Sequence, residues 1–290
     1  MPEGAEGPGD CLEIDLGDYH LTVATSFGPR VLGIRRGDGH EQFAALPDHV
    51  VIDRPDSGVY RFRGGHRLWA APEIPWISYA PDDEPCEVVT RDGGVEIQGP
   101  VDRAGLAKRV ALTLELDTVV VDHTLDNLSE APLAGAPWAI TQLPLGGTAL
   151  VPIRGKPDQD GLQANRVVVL WPYTDPADPR LTWKGDVAVI DASPGPTFKI
   201  GTGPAPEQIG YLHQGQLFSK RVTASSEGSY PDLGAVGQFF MNDQFCELES
   251  IGPLTRLEPG STVSHRERWT IHDCPDLGQA LALVAGEGPV

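Results

Sequence analysis

The chain is a succession of short apolar–polar alternations broken by turn residues, and a 3.6-residue periodicity is almost absent from it. Alternation places every second side chain on one face of a strand, so runs of this kind build sheets. Leu12-Glu13-Ile14-Asp15-Leu16, Tyr19 to Ala24 and Arg30 to Arg36 read as successive strands, with turns at Gly17-Asp18 and Gly37-Asp38-Gly39. The clearest pair lies between Lys108 and Asn127. There Val110, Leu112, Leu114 and Leu116 alternate with polar residues, Val119, Val121 and Leu125 answer them, and Asp117-Thr118 is the expected tip. Further strands are expected at Val167 to Trp171, Asp186 to Asp191, Gln216 to Thr223, Val236 to Met241, Phe245 to Ile251 and Thr262 to His272. One helix is expected, Leu277 to Ala285, packing as a C-terminal cap after Cys274-Pro275.

The 34 Gly and 27 Pro fall between the apolar runs, so they supply turns rather than low complexity. About a dozen strands without intervening helices predict an all-β sandwich or barrel. No internal repeat or linker interrupts the pattern, so residues 11–290 are expected to form a single domain. Residues 1–10 have almost nothing to bury and are expected to be a disordered tail.

The charge balance, 22 basic against 41 acidic residues and a net −19, opposes phosphate backbones and anionic membranes, so neither nucleic acid nor a membrane is an expected partner. Apolar runs such as Val167 to Trp171 fall far short of the ~20 residues of a membrane helix. Cys11, Cys86, Cys246 and Cys274 show no C-x-x-C spacing and follow no basic-then-apolar leader, which predicts reduced thiols in a soluble cytoplasmic protein. Nucleotide-binding glycine patterns, H-E-x-x-H and G-x-S-x-G are absent, so nucleotide hydrolysis, zinc proteolysis and α/β-hydrolase chemistry lack support, and no cofactor is expected.

Within Phe245 to Ile251, Glu247 and Glu249 must share one face of a strand while Cys246, Leu248 and Ser250 take the other. Glu is a poor strand former, and like charges on one face repel unless something compensates them. The pair belongs either to a wet edge strand or to the floor of a ligand site.

Several segments resemble galactose-mutarotase-like proteins. Phe27-Gly28-Pro29-Arg30-Val31-Leu32-Gly33-Ile34 with Gly37-Asp38-Gly39 is similar to their first hairpin, and Cys246-Glu247-Leu248-Glu249 to the late strand that carries the mutarotase base. Leu257-Glu258-Pro259-Gly260 resembles their ending. Gly64-Gly65-His66-Arg67-Leu68-Trp69, Ala136-Pro137-Trp138, Trp171-Pro172-Tyr173, Tyr230-Pro231-Asp232 and Glu247 to Pro253 resemble an uncharacterised branch of that superfamily. The resemblance covers residues 11–272. It implies a large antiparallel β-supersandwich in which one curved sheet holds sugars, with Glu249 aligned to the Glu that takes the anomeric hydroxyl proton. The family's acid is a His in a central Asn-His-x-Tyr-Phe type segment, and the matching stretch here, Asn127 through Ala136-Pro137-Trp138-Ala139-Ile140, contains none.

The residues supply candidates of their own. His66 and Arg67 follow a double glycine that lets backbone approach a ligand, and the Arg67 fork suits a carboxylate or vicinal hydroxyls; an ordinary turn is the alternative. Trp69, Trp76 and Trp138 are either stacking platforms for a sugar or core packing, with Trp138 favoured for the site. Lys199 and Asp232 are candidate binding residues, and His66 or His213 can stand in for the absent acid. His265, Glu267 and Trp269 share a strand face that reads as solvated, so no metal is expected there. Asp82-Asp83-Glu84 and Asp158-Gln159-Asp160-Gly161 read as acidic loops able to offer oxygen ligands to a hard cation. The acidic net charge disfavours a polyanionic substrate, but a local basic patch around Arg61, Arg63 and Arg67 could override it, which keeps a sugar acid or phosphate open.

Together these readings predict a carbohydrate-active protein. Glu249 or Glu247 would be the base and His66 or His213 the acid, in epimerase, isomerase or lyase chemistry on a sugar or sugar derivative. A non-catalytic carbohydrate-binding protein that lost the acid is the alternative, and a scaffold with a vestigial groove a third. Oligomeric state is not legible.

Overall fold

The computed structural model describes residues 11–153, 155, 160–203, 208–223 and 228–286. The tail expected over residues 1–10 and positions 158 and 159 of the expected acidic loop lie outside them.

In chain order the first half holds β1 (Cys11–Leu16), β2 (Tyr19–Ala24), β3 (Arg30–Arg36), β4 (Val51–Arg54), β5 (Gly58–Arg61), β6 (His66–Ala71), α1 (Pro75–Ser78), β7 (Glu87–Arg91), β8 (Gly94–Gln98), β9 (Leu106–Glu115) and β10 (Thr118–Asn127). Next come β11 (Leu133–Leu143), β12 (Thr148–Pro152), β13 (Val168–Leu170), β14 (Leu181–Lys184), β15 (Val187–Asp191), β16 (Phe198–Thr202), β17 (Gln208–His213) and β18 (Gln216–Val222). The chain closes with α2 (Pro231–Gly234), β19 (Gly237–Met241), β20 (Cys246–Ile251), β21 (Thr255–Leu257), β22 (Thr262–Asp273) and α3 (Leu277–Val284).

The strands form two large antiparallel sheets, the all-β sandwich that the alternation predicts. The first runs β1-β2-β3-β6-β11-β20-β19-β16-β13 with β21 beside β11; the second runs β14-β15-β12-β17-β18-β22-β10-β9-β8-β7. β4 and β5 make a separate hairpin. Alternate residues of each sheet, such as Leu68, Phe198 and Leu248 from the first and Val110, Val121 and Trp269 from the second, meet in the main hydrophobic core. α3 packs on the other face of the second sheet, where Ala280 and Val284 join Leu150, Val189 and Leu217. Its N-terminus is capped by Asp276, which accepts from Gln279 N. No helix among the described residues is long and apolar enough to cross a membrane, and the four cysteines are unbridged.

One local expectation changes. Glu115 pairs with Thr118, so the β9–β10 tip is Leu116-Asp117, with Leu116 in the left-handed region and almost fully exposed. β11 runs straight through Ala136-Pro137-Trp138 although Pro has no N–H to donate.

Candidate functional site

Five neighbouring strands of the first sheet, β6, β11, β20, β19 and β16, set out a grid on the face turned away from the second sheet. The register places Arg67, Ile140, Glu249, Gln238 and Gly201 in one row, and Gln142, Glu247, Phe240 and Lys199 in the next. Trp69 and Trp138 stand opposite each other in the row on the other side of Arg67 and Glu249. Residues directly opposite in antiparallel strands share a face, so these side chains converge.

The two carboxylates are compensated by crossed ion pairs. Arg67 donates from Nη2 to Glu247 Oε1 at 2.9 Å, and Lys199 Nζ donates to Glu249 Oε2 at 2.8 Å. Each cation thus bridges diagonally to the row beside its own. Trp138 Nε1 adds a hydrogen bond of 2.7 Å to Glu249 Oε2. The cations also face rings: Arg67 lies 4.3 Å from the Trp69 centroid, and Lys199 4.9 and 4.6 Å from Trp138 and Trp171.

A cavity of about 420 Å³ opens on this face, lined by Arg67, Trp69, Trp138, Lys199 and Glu247 together with Phe62, Trp171 and Tyr173. Glu249 does not line it but lies fully buried behind Lys199 and Trp138, which do. Its Oε1 has no hydrogen-bond partner, and neither do Nε and Nη1 of Arg67. Burial raises the Glu249 carboxyl above its ordinary value; Lys199 opposes the rise and Glu247 adds to it. The wet-edge reading of this strand therefore fails, because β20 lies in the middle of its sheet.

The other candidates separate. His66 sits one residue before Arg67, so it faces the opposite way, into the space between the sheets, where Trp269 packs edge-on at 4.6 Å. His213 lies at the end of β17 in the second sheet, against His40 and Tyr211 in a different cavity. Neither imidazole stands with the carboxylates, which corrects both expectations of a proton donor. Asp232 occupies a left-handed turn and accepts from Gln238 Nε2 at 3.0 Å, so it props the row beside Glu249. Trp76 is exposed on α1.

The expected basic patch is cancelled. Asp83 pairs with Arg61 and Arg63, and Asp82 with Arg63 and the fully buried Arg30, so the oxygens of this acidic loop are engaged by guanidinium groups. Gly64-Gly65 brings backbone close to Ala44 and Val31 rather than to a ligand.

The face of β22 expected to be wet is buried. β22 lies between β18 and β10, so His265, Glu267 and Trp269 point at the first sheet while Ser264 and Arg266 meet solvent. Glu267 accepts from Lys220 at 2.7 Å, Ser250 at 2.5 Å and Trp269 at 2.7 Å. His123 Nδ1 faces the His265 carbonyl, so it carries the proton; His123 Nε2 then accepts from His66 Nε2, and the Thr141 hydroxyl donates to His66 Nδ1. Ligand atoms of His66, His123 and Glu267 lie within 4.8 Å of one another. A divalent ion fits poorly, because Lys220 already neutralises Glu267 and added charge in this dry space would be uncompensated.

Trp171 and Tyr173 were missed as site residues. The turn that presents them is stapled to β16: Thr174 Oγ1 donates to the Lys199 carbonyl at 2.7 Å and accepts from Lys199 N at 2.9 Å. Two aromatics flanking Pro172 are the signal, since a proline-stiffened turn presents rings at low entropic cost.

No protein-family model and no curated protein matches the chain. Among solved structures it is similar to a galactose mutarotase-like protein from Lactobacillus casei ATCC 334, at 11% identity over 90% of this chain and 100% of that one, with a TM-score of 0.60. It is also similar to a galactose mutarotase related enzyme from Lactobacillus acidophilus, at 10% identity over 92% and 98% of the two chains, TM-score 0.55. An aldose 1-epimerase-like protein from Escherichia coli K12 matches at 13% identity over 90% and 98%, TM-score 0.53. At these identities the likeness is one of fold, and the chain has the galactose mutarotase-like fold.

Proposed function

We propose that this protein binds a sugar or sugar derivative on the outer face of its first sheet and carries out acid–base chemistry of the aldose 1-epimerase type, with Glu249 as the base. The observation that carries the reading is the free Oε1 of a buried, raised-pKa carboxylate whose partners Lys199 and Trp138 line an aromatic cavity. A base works best with a pKa near the working pH, and burial moves Glu249 in that direction. The volume of about 420 Å³ falls in the range of roughly 300–1,000 Å³ typical of ligand pockets. Trp69 and Trp138 offer their faces to the C–H side of a pyranose, while Arg67 and Glu247 meet its hydroxyls. The charges lining the site are paired, which favours a neutral sugar over an anionic one.

One observation favours a purely binding role: no His among the described residues lines the cavity. Anomer exchange measured by NMR on a panel of aldoses, with wild type and Glu249→Gln side by side, decides between the two. Exchange accelerated by wild type and abolished in the variant supports the enzyme. Saturation transfer to a sugar without acceleration supports the binding protein. If neither is seen with any sugar, the carbohydrate reading is overturned.

A further inference from the structure

We propose that Lys199 is the proton donor of this site, delivering a proton to the ring oxygen of the sugar as Glu249 takes one from the anomeric hydroxyl. The inference rests on the acid–base reading above and names the acid that it lacks.

The argument is first one of elimination among the described residues around the cavity. Arg67 does not release a proton at any working pH. Tyr79 donates its hydroxyl to Glu73. Burial, followed by Glu249, raises the Tyr173 phenol, which makes it a poorer acid. Glu247 accepts from Arg67 and Glu73 from Tyr79, while Asp243 stands exposed in the turn between β19 and β20, away from the buried grid. Lys199 remains, and its ammonium is in direct contact with the base.

Geometry supports the assignment. Lys199 is 4% exposed, and its ammonium is placed by two rings and one carboxylate oxygen. The Thr174 clamp fixes its backbone to the turn that carries Trp171 and Tyr173. Glu249 Oε2 is occupied by Lys199 and Trp138, which leaves Oε1 for the substrate. Acid and base therefore address one ligand from adjacent positions.

The proton balance closes without a co-reactant. The anomeric O–H proton passes to Glu249 Oε1, the C1–O1 bond becomes C=O, and the C1–O5 bond breaks with its electron pair going to O5. O5 takes a proton from Lys199 Nζ. Rotation about C1–C2 and the reverse steps close the other anomer and restore both groups. The Glu249–Lys199 pair is net neutral before the two transfers and again once both are complete, so the completed ring opening leaves no uncompensated charge in a buried site.

The test uses Lys199→Arg, which keeps the positive charge but has no releasable proton. The expected result is a loss of anomer exchange of about 10²–10⁴-fold with saturation transfer to the sugar retained. Lys199→Cys alkylated with 2-bromoethylamine, which puts a primary ammonium back at this position, should restore exchange. That rescue also answers the objection that arginine merely fails to fit. If wild type exchanges anomers, Glu249→Gln does not and Lys199→Arg keeps the full rate, the assignment of Lys199 is overturned while the base stands. If wild type exchanges none, the acid–base reading falls and takes this inference with it.

Discussion

Lys220 Nζ and Glu267 Oε1 lie 2.7 Å apart with both side chains fully shielded from solvent, directly behind the strands that carry the candidate site. Lys220 also donates to the Leu248 carbonyl at 3.2 Å, between Glu247 and Glu249 in β20. Ser250 of β20, Thr141 of β11 and His66 of β6 join the same network from the first sheet. Three of the five strands that form the site, β6, β11 and β20, are thus tied from the other face to the second sheet. The network supplies register to the grid where an apolar interface would supply only adhesion.

Lys220→Met should cost about 3–5 kcal/mol of unfolding free energy, because it leaves Glu267 buried without its counter-charge. The double variant Lys220→Met/Glu267→Gln should recover part of that loss. Urea unfolding of the four proteins measures the coupling, and strictly additive losses would refute it.

Stability should fall as pH is lowered through 6.5. Burial above all holds His66, His123 and His265 below the ordinary imidazole value of 6.5, His265 at about 3, and Lys220 adds to the effect in each. Below 6.5 the unfolded chain takes up protons that the folded chain refuses, so stability is full above that value and is lost progressively toward 3. Each imidazole contributes a slope of about 1.4 kcal/mol per pH unit inside its window. Glu267 adds to the loss lower down: burial acts to raise its carboxyl, but Lys220, His123 and His265 together outweigh that and hold it below 4.5. Unfolding free energies at pH 7.5, 6 and 5 for wild type and His265→Gln check this, with a shallower slope expected in the variant.

Much of the fold was legible because period-2 alternation survives wherever one strand face is apolar, as in β9 and β10. β11 was not, because it is buried over nearly its whole length and shows no alternation, and Pro137 argues locally against a strand. The pairing of Glu247 with Glu249 followed from strand geometry alone. The same rule, applied to Gly65-His66-Arg67-Leu68, separates His66 from Arg67 and would have removed His66 from the acids. What single residues cannot reveal is which face of a strand meets the other sheet. His265-Arg266-Glu267 has charge on both faces, and only the central position of β22 decides which one is dry.

Trp138→Phe should move the acidic limb of the pH–rate profile to higher pH. Its indole N–H bond to Glu249 is among the contacts that lower that carboxyl, so removing it lets burial raise the group further. The remaining ring still packs edge-on to Trp69, which stands 5.4 Å away. Sugar affinity should fall only modestly while the limb shifts. An unchanged limb would mean that Glu249 does not control the rate.

Gly65→Ala should destabilise the protein by about 2–5 kcal/mol, the sum of a left-handed backbone penalty and a forced clash. Gly65 has φ +72, and a Cβ there would stand 2.3 Å from the Val31 carbonyl oxygen. That carbonyl belongs to β3, against which β6 is registered at Val31–His66 and Arg30–Arg67. Arg30 reinforces the same corner through its 2.9 Å bond to the Gly64 carbonyl. Relief of the clash must therefore shift the start of β6, and with it Arg67 relative to Glu247. Gly93→Ala is the matched control, since it has a similar φ of +74 and open space around the added Cβ. The control should lose only the backbone part, about 1–2 kcal/mol. Equal losses in the two variants would show that close approach at Gly65 does not set the position of β6.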